Sequence, residues 1–373
     1  MIPVFRPKMN TEEILSELRI ILNSGWIGLG PKTAEFEEKF AEYIGVKYAV
    51  GVNSATAALH LANHTLQLKS EDEVIVPAMT FVSTAVTVMH AGGKPVFCHV
   101  LPDTLCLDPE DIRRKITKNT KAIIPVHFGG HACPMDEIIE ISNEFNLTII
   151  EDVAHGCGGK YKDKMLGSVG SMGCFSFHAV KNLPTGDGGM ITTNDEDTYK
   201  QLKELRWVGI NKDTWERDTG GYSWQYSVDK IGFKCHMNDI TAVIGLSQLK
   251  SLDEHNMRRR EIAETYSREL NSEDWLDIPT NKDYAESANH NYVIKTHLRN
   301  DLNKYLSSKE ISTGVHYEPI NHYGVFDGIR ADVPVTESSW ESILSLPIYP
   351  DLNDEDLNKV ISEIKEFGKR NTP

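Results

Sequence analysis

Between residues 48 and 193 the chain returns again and again to a short run of apolar and β-branched residues: 48–52, 73–76, 94–98, 122–126, 148–151, 174–177 and 189–193. Apolar positions at helical spacing fill the intervals 55–67 and 135–145, and the same spacing marks 11–23 and 33–44 ahead of the first run. Short strands separated by helices imply a mostly parallel sheet covered on both faces, because a parallel pair needs a long crossover and the helix supplies it. An α/β fold follows. In such sheets ligands bind beyond the C-terminal ends of the strands, so the residues just after each strand carry the functional reading.

The rest of the chain is organised differently. Residues 196–235 are polar and short of regular pattern, a long helix is expected from 238 through 265, and the last hundred residues form a smaller α+β pattern ending in a helix at 354–368. With 373 residues the chain exceeds one typical domain. The expected division is a large sheet domain at 1–250 and a small C-terminal domain at 251–373.

Charge narrows the partners. Lys plus Arg is 39 and Asp plus Glu is 54, a formal net charge of −15, which repels nucleic acid and anionic membrane over most of the surface. The apolar runs are broken well short of the ~20 residues that span a bilayer, and MIPVFRPKMN does not read as a signal peptide. None of the six cysteines forms a C-x-x-C pair, so they read as buried thiols in a reducing compartment. A cytoplasmic protein without nucleic-acid or membrane partners is expected, and an anionic ligand needs a locally positive pocket.

Four stretches after strand ends carry chemistry. In CFSFHAVKNLPTGDGGMITT (174–193) a strand ends in a turn bearing Ser176, His178 and Lys181, followed by a glycine-rich bend. A lysine buried there would have its pKa lowered by desolvation, so that the neutral amine can attack an aldehyde; a solvated loop lysine is the ordinary alternative. TIIEDVAHGCGG (148–159) delivers Glu151 and Asp152 at a strand end and His155 three residues on. Such a carboxylate can face a pyridine nitrogen and keep it protonated; a helix cap and a packed histidine are the ordinary alternatives. VGVNSATAALHL (50–61) leads a strand into Ser54, Ala55 and Thr56 at a helix start, where free amides can cradle a phosphate. In VPAMTFVSTA (76–85), Phe81 follows a strand and can stack on a ring or join a core.

Taken together, a phosphate cradle, a stacking aromatic, a pyridinium carboxylate and an amine nucleophile match the needs of pyridoxal 5′-phosphate (PLP). The sequence also resembles the DegT/DnrJ/StrS sugar aminotransferases, from about Ser24 (SGWIGLGPKTAEFE) to the closing LPIYPDL segment. The runs SFHAVKNLPTGDGG, EDVAH and PVHFGGHACPMD carry most of that likeness. The resemblance implies the aspartate-aminotransferase fold (fold type I). It makes Lys181 the residue that holds PLP as a Schiff base, and it places Asp152 on the pyridine nitrogen and His155 near the cofactor hydroxyl. It gives Ser54, Ala55, Thr56 and Ser176 to the phosphate, and Phe81 to the ring face.

The family's obligate homodimer shares active sites across the interface, which implies cross-subunit contacts near Lys234 and His236. Relatives often have Asn or Arg at the position of His236. Trp26 and, in STGVHYEPINHYGVF (312–326), His316 and Tyr317 stand as substrate contacts. The reaction implied is amino transfer from L-glutamate to a nucleotide-linked keto sugar, a 4-keto-6-deoxyhexose by preference, in amino-sugar biosynthesis for surface glycans such as lipopolysaccharide O-antigen. Alternatives are a 3-keto sugar, a 4-keto-pentose or a non-catalytic PLP- or sugar-binding regulator. Lys212, Arg217, Lys234 and Arg258 are cations available for the substrate's diphosphate. His127, His131 and Cys133 offer a weaker reading as metal ligands.

Overall fold

The computed structural model describes residues 1–211, 225–329 and 331–371. Its centre is a seven-stranded sheet built from β1 (Tyr48–Val52), β2 (Glu73–Pro77), β3 (Lys94–Cys98), β4 (Thr120–Ile123), β5 (Thr148–Asp152), β8 (Met172–Ser176) and β9 (Gly189–Thr193), with the short hairpin β6 (Lys160–Tyr161) and β7 (Lys164–Met165) outside it. The strand order is β1-β9-β8-β5-β4-β2-β3. β9 runs antiparallel to both of its neighbours, and the remaining pairs are parallel. One reversed strand in seven is therefore what "mostly parallel" means here. It is reversed because the chain between β8 and β9 turns straight back with no crossover helix, and that returning loop carries Lys181.

Two apolar layers cover the sheet, and side chains alternate between them. Ile75, Ile123, Ile149, Phe175 and Met190 point to one layer, with Phe36 and Phe40. Val74, Val76, Ala122, Ile150, Cys174 and Ile191 point to the other. This alternation is the period of two that strands impose, and both faces are apolar because helices pack on both. On the second face lie α3 (Ala55–Thr65) and α4 (Ser83–His90), whose residues Ala58, Leu59, Leu61, Ala85 and Val88 join that layer.

The first two helices are α1 (Thr11–Ser24) and α2 (Pro31–Ile44). α2 follows Gly30, which has no side chain to cap it. The carboxylate of Asp239 does so from across the fold, accepting from the amides of Gly30, Lys32 and Thr33 and from the Thr33 hydroxyl at 2.7–3.1 Å. Asp239 opens the long helix Asp239–Leu270, which Asn238 caps and which extends five residues beyond the expected end.

Two expectations are corrected. Residues 196–206, expected to be irregular, form the helix Glu196–Arg206, capped by Asp195 and seated on Leu202 and Leu205. The run expected at 122–126 is a strand only over Thr120–Ile123, and Val126 keeps an isolated bridge to Asp152.

In the C-terminal part, Tyr292–Lys295 pairs antiparallel with Ile343–Leu346. These strands, the helices Arg299–Ser308 and Asp354–Asn371 and the end of the long helix enclose their own apolar cluster, including Tyr266, Leu270, Ile294, Leu344 and Ile364. Among the described residues no helix is long and apolar enough to cross a membrane.

Candidate active site

At the C-terminal ends of the strands, the loops after β1, β2, β5 and β8 and the segment at 316–317 enclose a cavity of about 420 Å³. Its lining includes Ser54, Ala55, Thr56, Phe81, Asp152, His155, Ser176, Lys181, His316 and Tyr317. Residues spread over 264 positions of sequence are thus brought to one place by the parallel strands.

Lys181 brings an amine into this cavity. Among the described residues its Nζ has no hydrogen-bond or ion-pair partner. Burial, opposed by the Asp152 carboxylate, brings its pKa from 10.5 down to about 8. An amine in this state is neutral in a substantial fraction near physiological pH and free to attack a carbonyl.

Asp152 is buried and oriented. Its Oδ2 accepts from the Thr84 hydroxyl at 2.9 Å and its Oδ1 from the Ala154 amide at 3.1 Å. Burial pushes its pKa up, while those two donors and Lys181 hold it down. The neighbouring Glu151 takes the opposite direction, as alternation along a strand requires. It accepts from the amides of Gly167, Val169 and Gly170 and from His127, and so serves the turn before β8. The ring nitrogens of His127 are used by Glu151 and the Cys133 amide, and those of His131 by Ala132 O and the Lys282 amide. Neither ring keeps a free nitrogen for a metal.

One end of the cavity is the start of α3. The Ser54 hydroxyl caps the Ala57 amide at 3.1 Å, which leaves the Ala55 and Thr56 amides without a partner among the described residues, at the positive end of the helix. The Thr56 hydroxyl meets Ser83 Oγ at 2.7 Å. Gly189 is what allows β9 to pass so close. A Cβ there would lie 2.5 Å from Ser54 C and 2.8 Å from the Ala55 amide. Ser176 closes this end, its buried hydroxyl accepting weakly from the His178 amide. At the other end Phe81 stands 56% exposed at the mouth, 6.2 Å from the Tyr317 ring.

Four expected contact residues lie outside the pocket of their own chain. Trp26 donates to Leu29 O at 3.2 Å and packs over Gly30. Lys234 lies 3.0 Å from the centroid of the Trp207 ring, and His236 bridges to Val52 with its ring against Trp207. Arg258 pairs with Asp354 and Glu261 at the surface. Lys212 and Arg217 lie outside the described residues.

The sequence reading missed Thr84 and Asn182. Thr84, in the first turn of α4, bonds Thr80 in the bend just before that helix at 2.8 Å, a spacing of four that the sequence does display. Asn182, next to Lys181, bonds Asn256 and Ala288 O, partners that nothing local announces.

The pocket fits PLP: an unpaired buried amine, a buried carboxylate held by two donors, and a cradle of free amides that only glycine lets form. The model of the DegT/DnrJ/EryC1/StrS aminotransferase family matches residues 8–365. The chain is 38% identical over 379 residues to the spore coat polysaccharide biosynthesis protein SpsC of Bacillus subtilis, covering 99% of this chain and 97% of that one. Its fold superposes on the PLP form of Spr1654 from Streptococcus pneumoniae with a TM-score of 0.91, at 31% identity and 99% coverage of each chain. Against the sugar aminotransferase CalS13 of Micromonospora echinospora the TM-score is 0.91, at 29% identity and 98% and 100% coverage. The cofactor is pyridoxal 5′-phosphate, and the chain belongs to the DegT/DnrJ/EryC1/StrS aminotransferase family.

Proposed function

We propose that this aminotransferase moves an amino group from L-glutamate to a nucleotide-linked keto sugar, a 4-keto-6-deoxyhexose by preference, in amino-sugar biosynthesis for a surface glycan. The observation that carries the reading is the buried, unpaired Lys181 amine sharing one cavity with Asp152. A spore coat polysaccharide protein and a sugar aminotransferase among the relatives support the sugar as acceptor.

Bound in the pocket, PLP supplies a carbonyl for amine exchange and an electron sink for the adjacent carbon. The protein's part is electrostatic and positional. Asp152, held by Thr84 and Ala154, keeps a proton on the facing ring nitrogen. The Ala55 and Thr56 amides, with Ser54 and Ser176, hold the phosphate. Phe81, at the mouth, would cover the ring. Lys181 Nζ would hold the cofactor between turnovers and would carry the proton at the substrate's reacting carbon. His316 and Tyr317 reach the pocket from the C-terminal part and are placed to touch the sugar.

The working unit in this proposal is a cytoplasmic homodimer, with Lys234, His236 and Trp26 of one subunit completing the other's site. The separate apolar cluster of the C-terminal part supports a division of the chain near residue 250, inside the long helix.

The test is turnover with L-glutamate and a panel of nucleotide-linked 4-keto hexoses, 3-keto hexoses and 4-keto pentoses. Release of 2-oxoglutarate is followed by a coupled dehydrogenase and the amino sugar by mass spectrometry. Aminated product from a 4-keto-6-deoxyhexose is expected. Amination confined to another class would move the assignment to that sugar, and PLP binding without any turnover would leave a regulator.

A further inference from the structure

We propose that Tyr317 is a fixed hydrogen-bond donor of this pocket, its hydroxyl proton turned toward the bound cofactor or substrate by a relay that begins at the Gly129 amide. The inference rests on reading the cavity as the cofactor site.

The relay follows from one unambiguous donor. The Gly129 backbone N–H points at His155 Nδ1, 3.3 Å away. A backbone amide can only donate, so Nδ1 must present its lone pair and carries no proton. His155 is therefore neutral and holds its single proton on Nε2. Burial and the neighbouring Lys181 support this by pushing its pKa well below 6.5.

Nε2 lies 3.0 Å from the Tyr317 hydroxyl oxygen. With the proton on Nε2, the histidine donates and the tyrosine accepts. The phenol's own proton must then point elsewhere, and among the described residues no protein acceptor takes it. What remains is the cavity, which Tyr317 lines together with Lys181, Phe81 and Thr84. Burial and the Asp152 carboxylate raise the phenol's pKa, so the proton stays on.

The surroundings hold the histidine in this state. Its ring packs against His290, centroids 4.5 Å apart, and Phe5 also stacks on His290 at 5.1 Å and 5°. His290 cannot compete as a donor to Tyr317. Its Nδ1 faces Asn182 Oδ1 at 3.1 Å, and Asn182 spends its amide hydrogens on Asn256 Oδ1 and Ala288 O. His316, the preceding residue, has its Nδ1 on Ser345 Oγ.

A donor fixed this way suits an oxygen acceptor: the phenolic oxygen of the cofactor, or the carbonyl oxygen of the keto substrate. His155 accordingly acts through Tyr317 as a positioning residue, since both of its nitrogens are already engaged. This refines the expectation that His155 itself meets the cofactor hydroxyl.

The test begins on cofactor-free protein labelled with ¹⁵N-histidine, with the His155 signals assigned by their loss in His155→Gln. A proton on Nε2 and none on Nδ1 is expected, and a proton on Nδ1 overturns the proposal without touching the aminotransferase reading. Tyr317→Phe should then weaken a bound oxygen by roughly tenfold. A loss in PLP affinity, read by fluorescence titration, assigns the donor to the cofactor. A rise in KM for the keto sugar with unchanged PLP affinity assigns it to the substrate. His155→Leu should reproduce the Tyr317→Phe defect, and His155→Gln, which can both accept and donate, should rescue it. PLP affinity and both KM values within twofold of wild type in a folded Tyr317→Phe protein would overturn it.

Discussion

An unpaired amine inside a pocket works against folding, and Lys181 is such a group. Below pH 8 both folded and unfolded chains carry the charge, and the folded one bears the desolvation. Between pH 8 and the ordinary value of 10.5 the folded state has released its proton and the unfolded state has not, so stability rises with pH through that window. Lys181→Met should therefore stabilise the cofactor-free protein at pH 7 by roughly 2–3 kcal/mol, and the gain should fade as the pH approaches 10.5; melting curves across pH check this. The same variant should lose transamination by at least about a thousandfold. Asp152→Asn keeps the shape but removes the charge, and should lower kcat by a factor on the order of 10² with the fold intact by circular dichroism. These two residues were legible because each follows an apolar strand inside a distinctive motif. The split between Glu151 and Asp152 was not drawn from the sequence, although strand alternation sends their side chains to opposite faces. Thr84 and Asn182 matter through partners 68 and 74 residues away, and such distances leave no trace in local sequence.

At the scale of elements, two close approaches hold the site together. β9 passes the start of α3 only because Gly189 has no Cβ, and the atoms it would strike are backbone. Gly189→Ala should push the Ser54–Thr56 turn outward and weaken PLP binding by about tenfold or more, measurable by equilibrium titration, with a smaller effect on melting temperature. The second approach is the cap that Asp239 gives α2 from the start of the long helix. Asp239→Ala leaves several buried amides unpaired and should destabilise the protein by about 2–4 kcal/mol in denaturant unfolding. Helices with a wide apolar stripe, such as α1 and α2, were readable from spacing. Glu196–Arg206 was not, because its stripe is narrow and most of its other residues are polar or charged. The end of β4 was misplaced because the apolar run continues through Val126 while the ladder reduces to a bridge.

For the whole molecule, the alternation of short apolar strands and helices was enough to read a covered, mostly parallel sheet and the side on which its ligand would bind. It could not show which strand runs backward, since direction depends on whether the β8–β9 connection crosses over or turns back. Nor did it anticipate that Asp239 caps α2 from more than 200 residues along the chain. The segments proposed to complete a partner's pocket stand apart from the pocket of their own chain, so the protein should sediment as a dimer. Lys234→Ala should raise the PLP dissociation constant severalfold without changing the spectrum of the bound cofactor. In the proposed reaction Lys181 holds PLP and exchanges it with an amino acid. The absorbance spectrum of the purified protein with PLP, before and after excess L-glutamate, tests it most directly. A visible band that Lys181→Met lacks and that glutamate bleaches is expected. A protein that stays colourless with added PLP, or a band identical in Lys181→Met, would contradict it.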